Sequence, residues 1–366
     1  MKVIQWGVGY TGTFSLRNIL DNPRLDLVGV KCWTNDKDGV DAGELVSRPA
    51  AGVKATRDID SLLALDADCV IYMPRDALAD PSVPGSPSEV WVDELLPILE
   101  AGFNVVSPLV SATHWRHLAN GEAFRDKLNA ACQRGTSTVL FSGFDPGFTT
   151  DALPYTIASV VSGVTQIRTW EILDYSYLDT LETVQAFGFG ARPEQMSATA
   201  IDMVKPAWGG ACHLLADAFG VEIEDVTVEA DIFLSPETFT AQNGYHIEEG
   251  TIGALRFAVN GIVDGNPLFS INHVTRMRSD MAPDWPSVGT DGGYRIEIDA
   301  YPPFRADCPM GLPGGTGNSF ADAVAMTAAR CMNSIDAVVK AKPGYKTFLD
   351  LSPLGGTYAL APRAGG

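Results

Sequence analysis

The chain has no C-x-x-C pair, no cysteine–histidine cluster at zinc-ligand spacing and no block of lysine and arginine. Each absence removes a class of function. Six cysteines stand apart at 32, 69, 132, 212, 308 and 331, so no zinc site is expected and no metal is assigned. Cys32, Cys69 and Cys331 lie in apolar or helical surroundings and read as small buried hydrophobes. Basic side chains are scarce: 26 Lys and Arg against 45 Asp and Glu leave a formal charge of −19. That field repels nucleic-acid phosphates and anionic headgroups, so neither nucleic acid nor membrane is expected as a partner. No apolar run approaches the ~20 residues that span a bilayer. Met1-Lys2 leads straight into a strand with no signal-peptide pattern, which points to a cytoplasmic protein with reduced thiols.

What is present is globular composition, 46% hydrophobic and 19% charged, over 366 residues, enough for two domains. Residues 3–6 are a short β-prone run leading into Gly7-Val8-Gly9-Tyr10-Thr11-Gly12, a G-x-G-x-x-G. A helical pattern follows (Phe14, Leu16, Ile19, Leu20), broken by Asp21-Asn22-Pro23, and Leu25–Val30 reads as a second strand. Strand, glycine turn, helix and strand within about 30 residues are the context that makes the motif a dinucleotide fingerprint. Gly7 permits the turn, Gly9 lets a pyrophosphate approach the backbone, and Gly12 lets the helix pack on the sheet. Amides at the helix N-terminus then hold the phosphates.

The end of the second strand chooses the nucleotide, and here it reads Lys31-Cys32-Trp33-Thr34-Asn35-Asp36-Lys37. Thr34 and Asn35 suit a hydroxyl or a phosphate, and Lys37 would neutralise a 2′-phosphate. This tilts the expectation to NADP, while Asp36 and Asp38 keep NAD open. Further strands at 67–73, 104–107 and 137–142 alternate with helices at 91–101 and 120–134, which predicts an α/β Rossmann domain with a doubly wound parallel sheet. The carboxyl ends of these strands add Pro74, Arg75, Ser107 and Leu109 to the expected cofactor site, and Pro146 and Asn318 complete it. Residues 81–88 read as a mobile surface loop.

After Asp145-Pro146-Gly147 the character changes. A helix at 151–161 and strands at 165–175, 226–234, 251–263, 268–277 and 293–300 predict a second, α+β domain built on a largely antiparallel sheet. A long helix then begins near Asn318 or Ser319. The expected division is 1–146 for the cofactor, 147–316 for substrate and dimerisation, and 317–366 as a helix and tail returning to the first domain.

Gly7–Gly12, Asp41-Ala42-Gly43-Glu44-Leu45, Gly102–Ser107, Asp145-Pro146-Gly147-Phe148 with Asp151-Ala152-Leu153-Pro154, and Asn333–Leu351 together resemble the dihydrodipicolinate reductase-like oxidoreductases. The resemblance is to the branch of 2,4-diaminopentanoate dehydrogenase and the native amine dehydrogenases. It implies NAD(P), a substrate-binding α+β domain and a homodimer. Two departures stand out. The His-His…Lys motif of the dihydrodipicolinate reductases is missing. The amine dehydrogenases place a glutamate just after the strand matching Asn104–Ser107, where this chain reads Ser107-Pro108-Leu109-Val110-Ser111-Ala112. That weighs against reductive amination.

Hydride transfer needs a protein group to manage one proton. Tyr175, His273 and Asp145 are the expected catalytic residues, with Phe148, Trp170, Tyr177 and Trp208 as an apolar substrate pocket. His114, His117 and His213 are weaker candidates. The expected function is an NAD(P)H-dependent oxidoreductase of a small hydrophobic carbonyl, alcohol, imine or activated alkene. The alternatives are an amine dehydrogenase and a non-catalytic NAD(P)H sensor.

Overall fold

In a computed structural model, residues 1–74, 87–118, 120–178, 181–195, 204–351 and 354–359 are described. Arg75 and 81–86 of the expected loop lie outside them. The chain divides into two compact units.

The first unit comprises described residues of Met1–Ala77, Val83–Phe144 and Val324–Gly366. Its strands are β1 (Lys2–Trp6), β2 (Asp26–Lys31), β3 (Ala55–Thr56), β4 (Cys69–Tyr72), β5 (Asn104–Ser107), β6 (Thr138–Phe141) and, late in the chain, β15 (Gly344–Lys346). They form one sheet in the order β15-β6-β5-β4-β1-β2-β3, with every pair parallel. The order reverses between β1 and β4, the switch point where such sheets take ligands. Strands buried on both faces read as continuous apolar runs, and Val3, Ile4, Cys69, Val70, Ile71, Val105 and Val106 are all fully buried. One face packs against Leu16 and Ile19 of helix Tyr10–Asp21 and Ala328, Cys331, Ile335 and Val338 of helix Ser319–Lys340. The other packs against Leu95, Ile98 and Leu99 of helix Pro87–Glu100 and Phe124 and Leu128 of helix Gly121–Gly135. Pro97 is carried inside its helix, which gives way to Gly102 at φ +94°.

The second unit comprises described residues of Asp145–Ala323. Here β7 (Ser162–Asp174), β8 (Asp225–Leu234), β11 (Ile252–Val263), β12 (Asn266–Arg276), β13 (Gly292–Tyr301) and β14 (Phe304–Met310) form a sheet in the order β14-β13-β7-β12-β11-β8. Between β8 and β11 lies a short hairpin of β9 (Phe239–Thr240) and β10 (His246–Ile247). The pairing is antiparallel except at β7–β12, which run parallel. Strand β14 escapes sequence reading because Pro309 and alternating polar residues break its pattern. Pairing only with β13 at the edge, it tolerates a residue without an N–H. The expected helix at 151–161 begins instead as a π-helical turn, Phe148–Ala152, that continues as Leu153–Ala158. Helix Val204–Phe219 packs on β8, β11 and β12. Gly261 permits the approach, since a Cβ there would lie 3.1 Å from Cβ of Cys212. Asn318 caps helix Ser319–Lys340, its Oδ1 accepting from the Ala321 amide at 2.8 Å.

No helix among the described residues is long and apolar enough to cross a membrane. A Cβ on Gly12 would sit 2.2 Å from the Gly7 carbonyl oxygen, so Gly12→Val must force helix and turn apart. The expected cost is about 1–3 kcal/mol, as for overpacked sites generally, read as a lower melting temperature. An unchanged melting temperature would show that this turn does not fix the helix on the sheet.

Candidate functional site

Two groupings carry chemistry, one in each unit. In the first, β1 ends at the glycine turn. Gly7 has φ +101°, and a Cβ there would meet the Met73 carbonyl at 2.3 Å and the Trp33 ring at 2.6 Å. Only glycine fits. A Cβ on Gly9 would meet nothing within 4 Å, so the face of the turn is open where a pyrophosphate approaches. Gly9 is the N-cap of helix Tyr10–Asp21 without any side-chain cap, which leaves its first-turn amides for an anion. Val8 is buried, Tyr10 is exposed beside the turn, and Thr11 is half-buried. The residues present fit a dinucleotide.

At the end of β2, Lys37 donates from Nζ to the Val8 carbonyl at 2.6 Å, which lays its ammonium against the glycine turn. Asn35 accepts from the Arg57 guanidinium. Arg57, just beyond β3, was not singled out from sequence, because a two-residue strand leaves no pattern to place it. The two acids that kept NAD open each accept a local hydrogen bond. Asp36 accepts from the Thr34 hydroxyl, which holds its carboxyl below the usual range, and Asp38 accepts from the Arg57 amide at 3.1 Å. Pro74 follows β4, Ser107 is buried with Oγ accepting from the Leu109 amide at 3.3 Å, and Leu109 is buried. Pro146 and Asn318 belong to the second unit.

The second grouping is centred on Glu171. Strand register puts Glu171 opposite His273 of β12 and Tyr294 of β13, and His273 opposite Phe257 of β11. Directly paired residues share a face, so these four point the same way. The Glu171 carboxylate accepts from Tyr294 OH at 2.6 Å, Tyr175 OH at 2.9 Å and His273 Nδ1 at 3.2 Å. Burial opposes its charge, but the imidazole and these donors outweigh burial and hold the carboxyl below its ordinary value. Burial likewise works against a charged His273, yet Glu171 and then Asp145 raise its pKa above 6.5. Phe257 stacks on the imidazole at 4.5 Å and 8°, a ring face that favours the cation.

On the other edge of the imidazole, Nε2 has no hydrogen-bond partner and lies 3.8 Å from Asp145 Oδ1. Asp145 Oδ1 accepts from Trp208 Nε1 at 2.7 Å and Oδ2 from Thr149 at 3.4 Å. Burial pushes the Asp145 carboxyl up to about 6, against the pull of His273. Trp208 meets the His273 ring at 4.3 Å, and Phe187 meets Tyr175 and Phe257, closing an aromatic wall.

The structure therefore brings together Asp145, His273, Tyr175 and Trp208. Tyr177 and Phe148 are half-buried in the same unit. Trp170, expected in the pocket, stands apart from this group. One residue before Glu171 on a strand, it faces the opposite side of the sheet, where Nε1 donates to Glu297 at 3.1 Å. There it borders a shallow cleft with Glu229, Asp231, Arg256 and Asn272. His114 is a capping residue whose Nδ1 accepts from the Arg116 amide. Glu171, Tyr294 and Phe257 were missed. An acid within the apolar run Trp170-Glu171-Ile172-Leu173 was the available signal for the first.

Glu171→Gln removes the charge that sustains the imidazolium. By NMR titration His273 is expected to fall by about one pKa unit or more, the usual size of an adjacent opposite charge. An unchanged value would show that Glu171 does not govern the imidazole. In the native protein the proton on His273 stabilises the fold fully below 6.5, and that contribution is lost as pH rises through the raised value.

Comparisons with known proteins agree with this architecture. Residues 148–359 match the family described as the 2,4-diaminopentanoate dehydrogenase C-terminal domain. An amine dehydrogenase of Streptomyces virginiae is 32% identical over 365 residues, covering 96% of each chain. The solved amine dehydrogenase from Mycobacterium smegmatis has a TM-score of 0.73 at 16% identity over 97% of each chain. A protein of gentamicin A biosynthesis, solved in complex with NAD, has a TM-score of 0.52 at 16% identity, over 96% of this chain and 89% of its own. At 16% identity these two likenesses speak for the fold alone. The sequence match and the family domain go further: the chain belongs to the 2,4-diaminopentanoate dehydrogenase and amine dehydrogenase family, and it is an NAD(P)-dependent dehydrogenase.

Proposed function

We propose that the protein is an NADP(H)-dependent amine dehydrogenase of small hydrophobic substrates. The balanced reaction is ketone or aldehyde, ammonia, NADPH and a proton to primary amine, NADP⁺ and water, in either direction. The observation that carries this reading is the buried His273–Glu171–Asp145 cluster inside an aromatic wall. Its hydrogen-bonding neighbours are phenols, an indole and a hydroxyl, not the cations that an acidic substrate requires.

When bound, the nicotinamide supplies or accepts the hydride. His273 moves the proton. Its Nδ1–H is fixed by Glu171, so Nε2–H is the free edge that protonates the departing oxygen, and the same nitrogen recovers a proton in reverse. Tyr175 is a positioning residue in this scheme: burial and the Glu171 carboxylate raise its phenol well above its ordinary value, so it holds Glu171 and keeps its own proton. The glycine turn Gly7–Gly12 would hold the pyrophosphate. Lys37 and Arg57 would hold the 2′-phosphate.

A second reading is supported by Ser107-Pro108-Leu109, a strand end without a carboxylate. It is carbonyl reduction without ammonia. Purified protein assayed for NADPH oxidation with hydrophobic ketones is expected to turn over only when ammonium is added. Equal rates without ammonium would replace the amine reading by the second. For the cofactor, Lys37→Ala combined with Arg57→Ala is expected to weaken NADPH binding about tenfold or more, as loss of charge-assisted phosphate contacts does, while leaving NADH binding unaltered. Equal weakening of both nucleotides would overturn the 2′-phosphate assignment.

A further inference from the structure

The gap between Asp145 and His273 has a use that the proton-transfer role of His273 does not explain. His273 is buried, its side chain 1% exposed, and Nε2 is without a partner. It faces a carboxylate 2% exposed at 3.8 Å, too far for a hydrogen bond. Everything else in the cluster is satisfied. Asp145 accepts from Trp208 and Thr149, and Glu171 takes its three donors. With Glu171 and Asp145 ionised and His273 protonated, two negative charges face one positive charge. The cluster thus holds one surplus negative charge away from water, a costly state that an incoming cation relieves.

We propose that Asp145, flanked by His273 Nε2 and the Trp208 ring, is the subsite for the substrate nitrogen, binding ammonium, the primary ammonium product and the iminium between them. The proposal rests on the amine reading above and assigns its nitrogen to one carboxylate. Trp208 fixes the carboxylate, its Nε1 donating to Oδ1 at 2.7 Å. No carboxylate is present in the segment after β5 to do the same, since it reads Ser107-Pro108-Leu109-Val110-Ser111-Ala112. The groups that face Asp145 and bear on its titration are His273, Glu171, Trp208 and Thr149. His273 and Glu171 both bear on the Asp145 charge, so the cation affinity follows the titration of the cluster as a whole.

The test uses cyclohexylammonium and cyclohexanone as probes, with ammonium chloride in the assay. In the NADP⁺-loaded protein, Asp145→Asn is expected to weaken cyclohexylammonium binding at least about tenfold, the scale of losing a charge-assisted contact. Cyclohexanone and NADPH affinities are expected to hold, and the KM for ammonium to rise by a similar factor. Unaltered cyclohexylammonium binding in Asp145→Asn would overturn the subsite while leaving the amine reading intact. Ammonium-independent turnover by the native protein would overturn the amine reading itself. Should the variant not fold, the native protein decides. Its cyclohexylammonium affinity is expected to fall as pH drops through about 6, where protonation removes the surplus negative charge of the cluster. An affinity flat from pH 5 to pH 7.5 would overturn the subsite.

Discussion

A carboxylate in the middle of a β-sheet needs a reason to stay ionised. For Glu171 the reason is convergence: one donor from β13, one from β12 and one from the turn after β7 reach it together. Losing a phenol leaves the carboxylate short of a donor at a cost of about 1–3 kcal/mol, and losing the imidazole breaks a buried pair at a cost of about 3–5 kcal/mol. This ties register to chemistry. A one-residue slip of β12 or β13 would turn His273 or Tyr294 to the other face and strand the carboxylate. The arrangement that favours the Glu171 charge is thus the one that raises the His273 pKa and aims its ring at Asp145.

The two units solve different problems with different backbone. The first leaves backbone amides at a helix start without a side-chain cap and, at Gly9, places no side chain over them. The second gathers ionisable side chains on one sheet face and walls them with Phe257, Trp208, Phe187 and Tyr175. Anion binding by amides requires little else than geometry, whereas proton handling requires pKa values set by burial and neighbours. The same low-dielectric wall that lifts Asp145 strengthens its attraction for a cation once it is ionised.

Much of the first unit was legible because its signals are local. A strand, three glycines at fixed offsets and a 3.6-residue apolar period fall within a short stretch, and the parallel sheet follows from alternation of elements. His273 and Asp145 were singled out from residue chemistry and from their places at a strand and a strand end, and the structure sets them 3.8 Å apart. Arg57 was not, since its partner Asn35 is 22 residues away and its strand is two residues long. Trp170 falls on the sheet face opposite Glu171 for a related reason: composition identifies aromatic residues but not which side of a strand each ring occupies.

The amino-acid sequence by itself determined the nucleotide turn, the buried strands around it and the residue types available for proton transfer. These depend on contacts between near neighbours and on steric limits such as those at Gly7 and Gly12. Only the tertiary structure decided which of those residues act together. Glu171 and His273 are 102 positions apart, and Glu171 and Tyr294 are 123 apart. Their meeting rests on a parallel pairing of β7 with β12 and an antiparallel pairing of β7 with β13. Pairing between distant strands is fixed by packing of the whole sheet, and no local periodicity records it.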